Sequence, residues 1–184
     1  MIRSISAAAL ALAALASPAA AQTPRPDQLA FRDLYKELIE INTTLSSGSC
    51  TAASQAMASR LKAAGFADAD LQVIVPAARP KDGNLVATLK GSDPKAKPIL
   101  LLAHIDVVEA NRADWERDPF KLIEEDGFFY ARGASDDKAQ AAVWTDSLIR
   151  FKQEGFKPRR TIKVALTCGE ETPDTFNCVQ YLIQ

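Results

Sequence analysis

His104 is the only histidine in the 184 residues. It stands at the carboxyl end of the apolar run Pro98-Ile99-Leu100-Leu101-Leu102-Ala103, and Asp106 follows two residues later. In an extended chain, residues i and i+2 share a face. Asp106 is therefore placed to orient the imidazole, or to tune it as a supporting carboxylate. Two further acidic stations follow: Asp136-Asp137 within Arg132–Lys138, and Glu170-Glu171 before Thr172-Pro173. Asp136 is a carboxylate able to bridge two cations. Of the paired glutamates, one binds a metal while its neighbour faces the attacking water as general base. Each station also has an ordinary reading. A lone histidine is commonly a core residue. Ser135 or Asp136 serves equally well as a helix N-cap, with Asp137 favoured by the helix dipole. Glu170-Glu171 alone is a solvated turn.

The flanking periodicity says what must hold these residues. Phe31, Leu34, Leu38 and Ile41 recur at helical spacing from Asp27 onward. A second helix is expected from about Thr51 to Ala64, with Gly65 as its stop. Leu71–Val75 and Leu85–Leu89 read as strands. Pro98–Ala103 is an unbroken apolar run, the pattern of a strand covered on both faces. Lys121–Glu125 and Phe128–Arg132 flank Asp126-Gly127, a hairpin signal. Ala141, Trp144, Leu148 and Phe151 mark one face of a helix ending near Gly155. Thr161–Thr167 alternates as a strand, and a last helix is expected to begin near Asp174. Helices alternating with strands predict an α/β layer fold. The acidic stations fall just past strand ends or at a helix start, where open α/β sheets place their sites.

Composition narrows the function class. Hydrophobic residues make up 47% and charged residues 24%, with a formal net charge of −1. That balance offers no electrostatic basis for binding nucleic acid or an anionic membrane. Residues 1–21 carry one early basic residue, Arg3, a short Ala/Leu-rich run and the small-residue stretch Ser17–Ala21. This three-part pattern predicts a secretory signal peptide, and the run is too short to span a bilayer. Residues 22–26 form a linker, and the mature chain is expected to be periplasmic or secreted, with no membrane association after cleavage. Of the three cysteines, Cys50, Cys168 and Cys178, at least one must stay unpaired. Cys168 and Cys178 could close a short loop, with buried free thiols an equal alternative. No C-x-x-C spacing supports a thiolate zinc site.

Taken in order, these stations resemble the dizinc metallopeptidase family of glutamate carboxypeptidases, aminoacylases and succinyl-diaminopimelate desuccinylase. Leu101–Val108 looks like its first signature. Trp115, Asp118-Pro119-Phe120, Asp126-Gly127 and Arg132–Lys138 look like the second, and Thr167–Glu171 stands in the place of its paired glutamates. The resemblance implies that residues 27–184 are the N-terminal part of a catalytic domain, α/β with a mixed, largely parallel sheet flanked by helices. It implies that His104 binds one zinc and that Asp136 bridges two, through a cis peptide to Asp137. Glu171 would bind the second zinc, Glu170 would be the general base, and Asp106 would support His104. The implied chemistry is water-dependent cleavage of an amide bond in a peptide or an N-acyl amino acid, with two zinc ions in the complete enzyme.

Three positions depart from the family pattern: Ala131 and Ala139 where glycine is usual, and Gly169 where an acidic residue commonly precedes the glutamates. The family's two later ligands, an Asp and a His, and its smaller dimerisation and lid domain are not in this sequence. A homodimer is accordingly expected only for a full-length protein. The competing expectation is a catalytically inactive truncated product or a non-catalytic binding module. A serine hydrolase using His104 and Asp106 finds no G-x-S-x-G elbow.

Overall fold

The computed structural model describes residues 23–172 and 174–184; the expected signal peptide, residues 1–21, lies outside the described residues. Helix α1 spans Pro26–Glu40. Pro26 opens it with a preset φ and no amide to satisfy, and the Gln28 side chain accepts from the Arg25 main-chain N–H at 2.9 Å. Its inner face buries Leu34, Tyr35, Leu38 and Ile39. Helix α2, Cys50–Ala63, is capped by Ser49, whose hydroxyl accepts from Ala52 N. It ends at Gly65, which adopts φ +98° as helix stops often do. Helix α3 spans Lys138–Gln153 and packs against α1 and α2. No described helix is long and apolar enough to cross a membrane.

Four strands make the main sheet: β1 (Leu71–Ile74), β2 (Asn84–Leu89), β3 (Ile99–His104) and β6 (Ile162–Thr167), in the order β1-β2-β6-β3. A hairpin of β4 (Ile123–Glu125) and β5 (Phe128–Tyr130) stands apart. It turns on Asp126 (φ 51°) and Gly127 (φ 80°), the paired positive φ values of a tight hairpin turn. The expected mixed α/β sheet is present, with a smaller parallel share than expected. Only β3 and β6 run parallel, while β1–β2 and β2–β6 are antiparallel.

The helices lie against one face of this sheet. Leu85, Ala87, Ile162, Val164, Leu166 and Ala103 point into the shared core with Leu38, Met57, Leu61 and Leu148. Each fully buried leucine contributes about 1.5–3 kcal/mol relative to an exposed one. On the other face, β3 differs from its sequence reading. It is the sheet edge, and Leu100 and Leu102 are 63% and 48% exposed. An unbroken apolar run marks a strand as hydrophobic on both faces. It does not say that both are covered here.

Two more expectations need correction. Cysteines 50 and 168, not 168 and 178, form the disulfide, and Cys178 is a buried free thiol. The last helix, α4, spans Cys178–Leu182 and begins four residues later than expected. Asn177 caps it by accepting from Gln180 N, and ahead of it the Thr172 carbonyl accepts from Thr175 N at 3.0 Å.

Candidate metal centre

The parallel pair β3–β6 brings His104 level with Thr167, so the two strands deliver the histidine and the glutamate pair to the same sheet end. Asp136 arrives from the loop before α3. That loop is held by Tyr35, whose hydroxyl donates to Ala134 O at 2.6 Å; burial pushes this phenol up to about 12. Gly133, at φ +77°, leaves no room for a β-carbon, which would meet Val107 Cγ1 at 2.8 Å. The bond between Asp136 and Asp137 is a cis peptide. Asp137, not Ser135 or Asp136, occupies the N-cap of α3, and it makes no side-chain capping bond. Both residues expected as caps are free of that task.

The structure gathers the expected residues at one point. One donor atom from each of His104, Asp136 and Glu171 lies within 4.8 Å of the other two. His104 Nε2 is 3.0 Å from Asp136 Oδ1 and 3.6 Å from Glu170 Oε2. The imidazole is 11% exposed, while Asp136 and Glu170 are 76% and 61% exposed. A buried anchor thus carries open carboxylates toward solvent.

Asp106 reaches the histidine by a route the sequence did not indicate. The chain bends after β3, and the Asp106 main-chain carbonyl accepts from His104 Nδ1 at 3.1 Å, while its carboxylate stays at 3.6 Å. The carboxylate is buried and accepts instead from Glu171 N at 2.9 Å. Burial pushes Asp106 upward, but the His104 imidazole beside its carboxylate and the main-chain amides of Glu171 and Glu170 hold it below the ordinary carboxylate range. Burial opposes a charged His104, but its bonds and charge contacts with Asp106 and Asp136 raise it to about 9. Burial raises Glu171, reinforced by Asp136, Glu170 and Asp106. Asp137 is raised by burial as well.

Burial acts first on every one of these groups, and their mutual charges add to it. Carboxylates crowd one imidazole, and among the described residues no lysine or arginine forms an ion pair with Asp136, Glu170 or Glu171. One imidazole nitrogen with carboxylate oxygens is a donor set that suits zinc. The residues present therefore fit a divalent cation held by His104, Asp136 and Glu171.

Sequence reading passed over three supports. Lys138 is fully buried, and its ammonium donates to Ile41 O at 2.7 Å, joining α3 to the end of α1. The Cys50–Cys168 disulfide ties α2 to the residue preceding Gly169-Glu170-Glu171. Asn84 donates to Ile74 O and Asp82 O and accepts from Cys168 N. The adjacency of Cys168 to the glutamates was a readable signal. Nothing local marks Lys138 or Asn84.

Part of the chain is similar in sequence or fold to known proteins. Residues 100–184 match the model of peptidase family M20/M25/M40. A cattle N-fatty-acyl-amino acid synthase/hydrolase is 43% identical over 84 residues, 46% of this chain and 17% of that protein. Human aminoacylase-1 is 37% identical over 87 residues, 47% of this chain and 21% of its own length. Human carnosine dipeptidase 1 superposes with a TM-score of 0.56 at 27% identity, covering 77% of this chain and 32% of that one. A metallo-carboxypeptidase from Sulfolobus solfataricus reaches 0.67 at 17% identity, over 83% of this chain and 33% of its own, and shows the fold alone. The matched stretches thus span about a fifth of the curated relatives and a third of the solved chains.

Proposed function

We propose that this chain, whose residues 100–184 match the model of peptidase family M20/M25/M40, supplies the His104, Asp136 and Glu171 side of a zinc-dependent amide-bond hydrolase. The observation that carries the reading is the convergence of those three donors within 4.8 Å, with Glu170 beside them. The substrate class is a peptide or an N-acyl amino acid, supported by the dipeptidase and aminoacylase activities named for the relatives. Two zinc ions in the complete enzyme would draw on His104, Asp136 and Glu171 from this chain.

When bound, zinc supplies Lewis-acid polarisation of the scissile carbonyl and lowers the pKa of the attacking water. The chain's own residues do the rest. His104 is the buried, oriented anchor, held at Nδ1 by the Asp106 carbonyl. Glu170 is open to solvent beside His104 Nε2, where it takes the proton from the water and passes it to the leaving amine. The Asp106 carboxylate fixes the backbone at Glu171 and so sets the direction of the glutamate pair.

Export to an oxidising compartment belongs to the same proposal. The pattern of residues 1–21 supports it, as does the Cys50–Cys168 disulfide, since such bonds persist outside the reducing cytosol.

The test is a zinc titration of the chain, paired with hydrolysis assays on dipeptides and N-acyl amino acids. Zinc binding should be abolished by His104→Ala. Glu170→Gln should bind zinc as the parent does and lose about 10²- to 10⁴-fold in hydrolysis rate. Zinc affinity unaffected by His104→Ala would defeat the site assignment. Undiminished turnover in Glu170→Gln would defeat the base assignment.

A further inference from the structure

Behind the metal centre lies a small chamber that the proposed chemistry does not use. Thr43, Thr44, Gly48, Asp106, Cys168 and Phe176 are among its walls, and its free volume is about 10 Å³. That is about the room a single water molecule needs. Two wall residues carry buried oxygens without a hydrogen-bond partner: Thr43 Oγ1 and Asp106 Oδ1. Their residues are 1% and 5% exposed. A buried hydroxyl or carboxylate oxygen left unpaired is destabilising, so two at one chamber need a common explanation. The two do not bond each other. The other Asp106 oxygen is already engaged by Glu171 N, and the Thr43 carbonyl accepts from Val107 N at 3.3 Å.

We propose that this chamber is a binding site for one structural water, which donates to Asp106 Oδ1 and exchanges a hydrogen bond with the Thr43 hydroxyl. The walls exclude the alternatives. A hard cation such as calcium takes six to eight oxygen ligands, whereas two unpartnered buried oxygens are on these walls and Arg79, also on the wall, opposes a cation. An organic ligand does not fit the volume. The bridge makes Thr43 a positioning residue. It joins the segment between α1 and α2 to the carboxylate that holds the Glu171 backbone, so the packing of α1 is carried to the metal centre through one water. Cys50 and Cys168 close another side of the same chamber, and their disulfide shields the water from bulk exchange.

The test is a high-resolution crystal structure of the chain, together with a double-mutant cycle. The structure is expected to show one ordered water within about 3.2 Å of both oxygens. An empty chamber, or a Thr43 hydroxyl bonded directly to Asp106, overturns the proposal. In the cycle, Thr43→Val should lower the unfolding midpoint by about 2–4 °C, and Thr43→Ser should retain the parent value. In an Asp106→Asn background the effect of Thr43→Val should shrink, because the water's carboxylate partner has already changed. Effects that simply add show that no water couples the two residues, and overturn it as well.

Discussion

The main-chain N–H of Glu171 donates to Asp106 Oδ2 across 2.9 Å, so one buried carboxylate, two residues from His104, also sets the position of the glutamate pair. Both halves of the donor set are thereby fixed by one residue, His104 through the Asp106 main-chain carbonyl and Glu171 through the Asp106 carboxylate. Asp106→Ala is expected to weaken zinc binding by about 10- to 100-fold, the usual effect of removing an outer support of a metal ligand. Asp106→Asn keeps one carbonyl oxygen to accept from Glu171 and should fall between the parent and Asp106→Ala. Calorimetric titration of the three proteins reads this directly. Equal affinities would mean that the His104 main-chain bond suffices by itself.

Gly169 shows why this chain departs from the acidic residue common before the paired glutamates. It adopts φ +82°, and a β-carbon there would stand 2.0 Å from Phe176 O. Backbone, not a flexible side chain, blocks the space, and left-handed φ is itself costly for other residues. Gly169→Ala should therefore lose about 2 kcal/mol or more of stability. It should also displace Glu170 and Glu171 while leaving their chemistry intact. Urea unfolding measures the first effect and zinc titration the second. A neutral substitution would show that the backbone at Phe176 gives way freely.

What the sequence makes legible here is local. Asp126-Gly127 announces its hairpin because only certain residues tolerate paired positive φ values. His104 stands out because a charged-capable ring closes an apolar strand. The parallel pairing that sets His104 level with Thr167 also follows from the alternation of helix and strand. Long-range facts are not legible in the same way. Leu100 and Leu102 read as buried, but exposure depends on what covers the β3 edge. The Cys50–Cys168 bond spans a sequence separation of 118 residues, and no spacing rule distinguishes it from other pairings. Asp106 was placed correctly in the site but on the wrong geometry. The strand ends at His104, so the face-sharing rule for extended chain stops applying one residue before it is needed.

The disulfide joins two core residues, Cys50 and Cys168, 2% and 7% exposed, across a long loop. In the chain-entropy account, closing a loop of this length stabilises by roughly 4–5 kcal/mol, and measured values range from about 0 to 5 kcal/mol. Cys50→Ser/Cys168→Ser is expected to lose about 2–5 kcal/mol and to bind zinc more weakly, because Cys168 directly precedes the glutamate turn. Cys178→Ser provides the control. Its thiol is buried and donates to Asp82 O, which a hydroxyl can also do, so the loss should stay under about 1.5 kcal/mol. Thermal unfolding with and without reductant checks both. A reductant effect in the double variant would point to something other than this bond.

Lys138 gives a pH dependence whose sign follows from its burial. Its side-chain nitrogen is buried with Ile41 O as hydrogen-bond partner, and burial pulls its pKa down to about 7 from the ordinary lysine value of 10.5, with Asp106 opposing. Between these two values the unfolded chain keeps a proton that the folded chain has released. Stability contributed by this residue therefore rises as pH increases from about 7 toward 10.5, and is lowest where the buried amine must be charged. His104 acts in the opposite sense. Its pKa is raised in the fold to about 9, so its contribution fades as pH climbs through that value. Comparing Lys138→Met with the parent at each pH cancels the His104 contribution. The variant should be relatively most favourable near neutral pH, and its advantage should shrink, or turn into a deficit, toward pH 10. Urea unfolding of metal-free protein at several pH values provides the curve. A difference that stays flat across that window would mean that Lys138 keeps its proton in the folded chain.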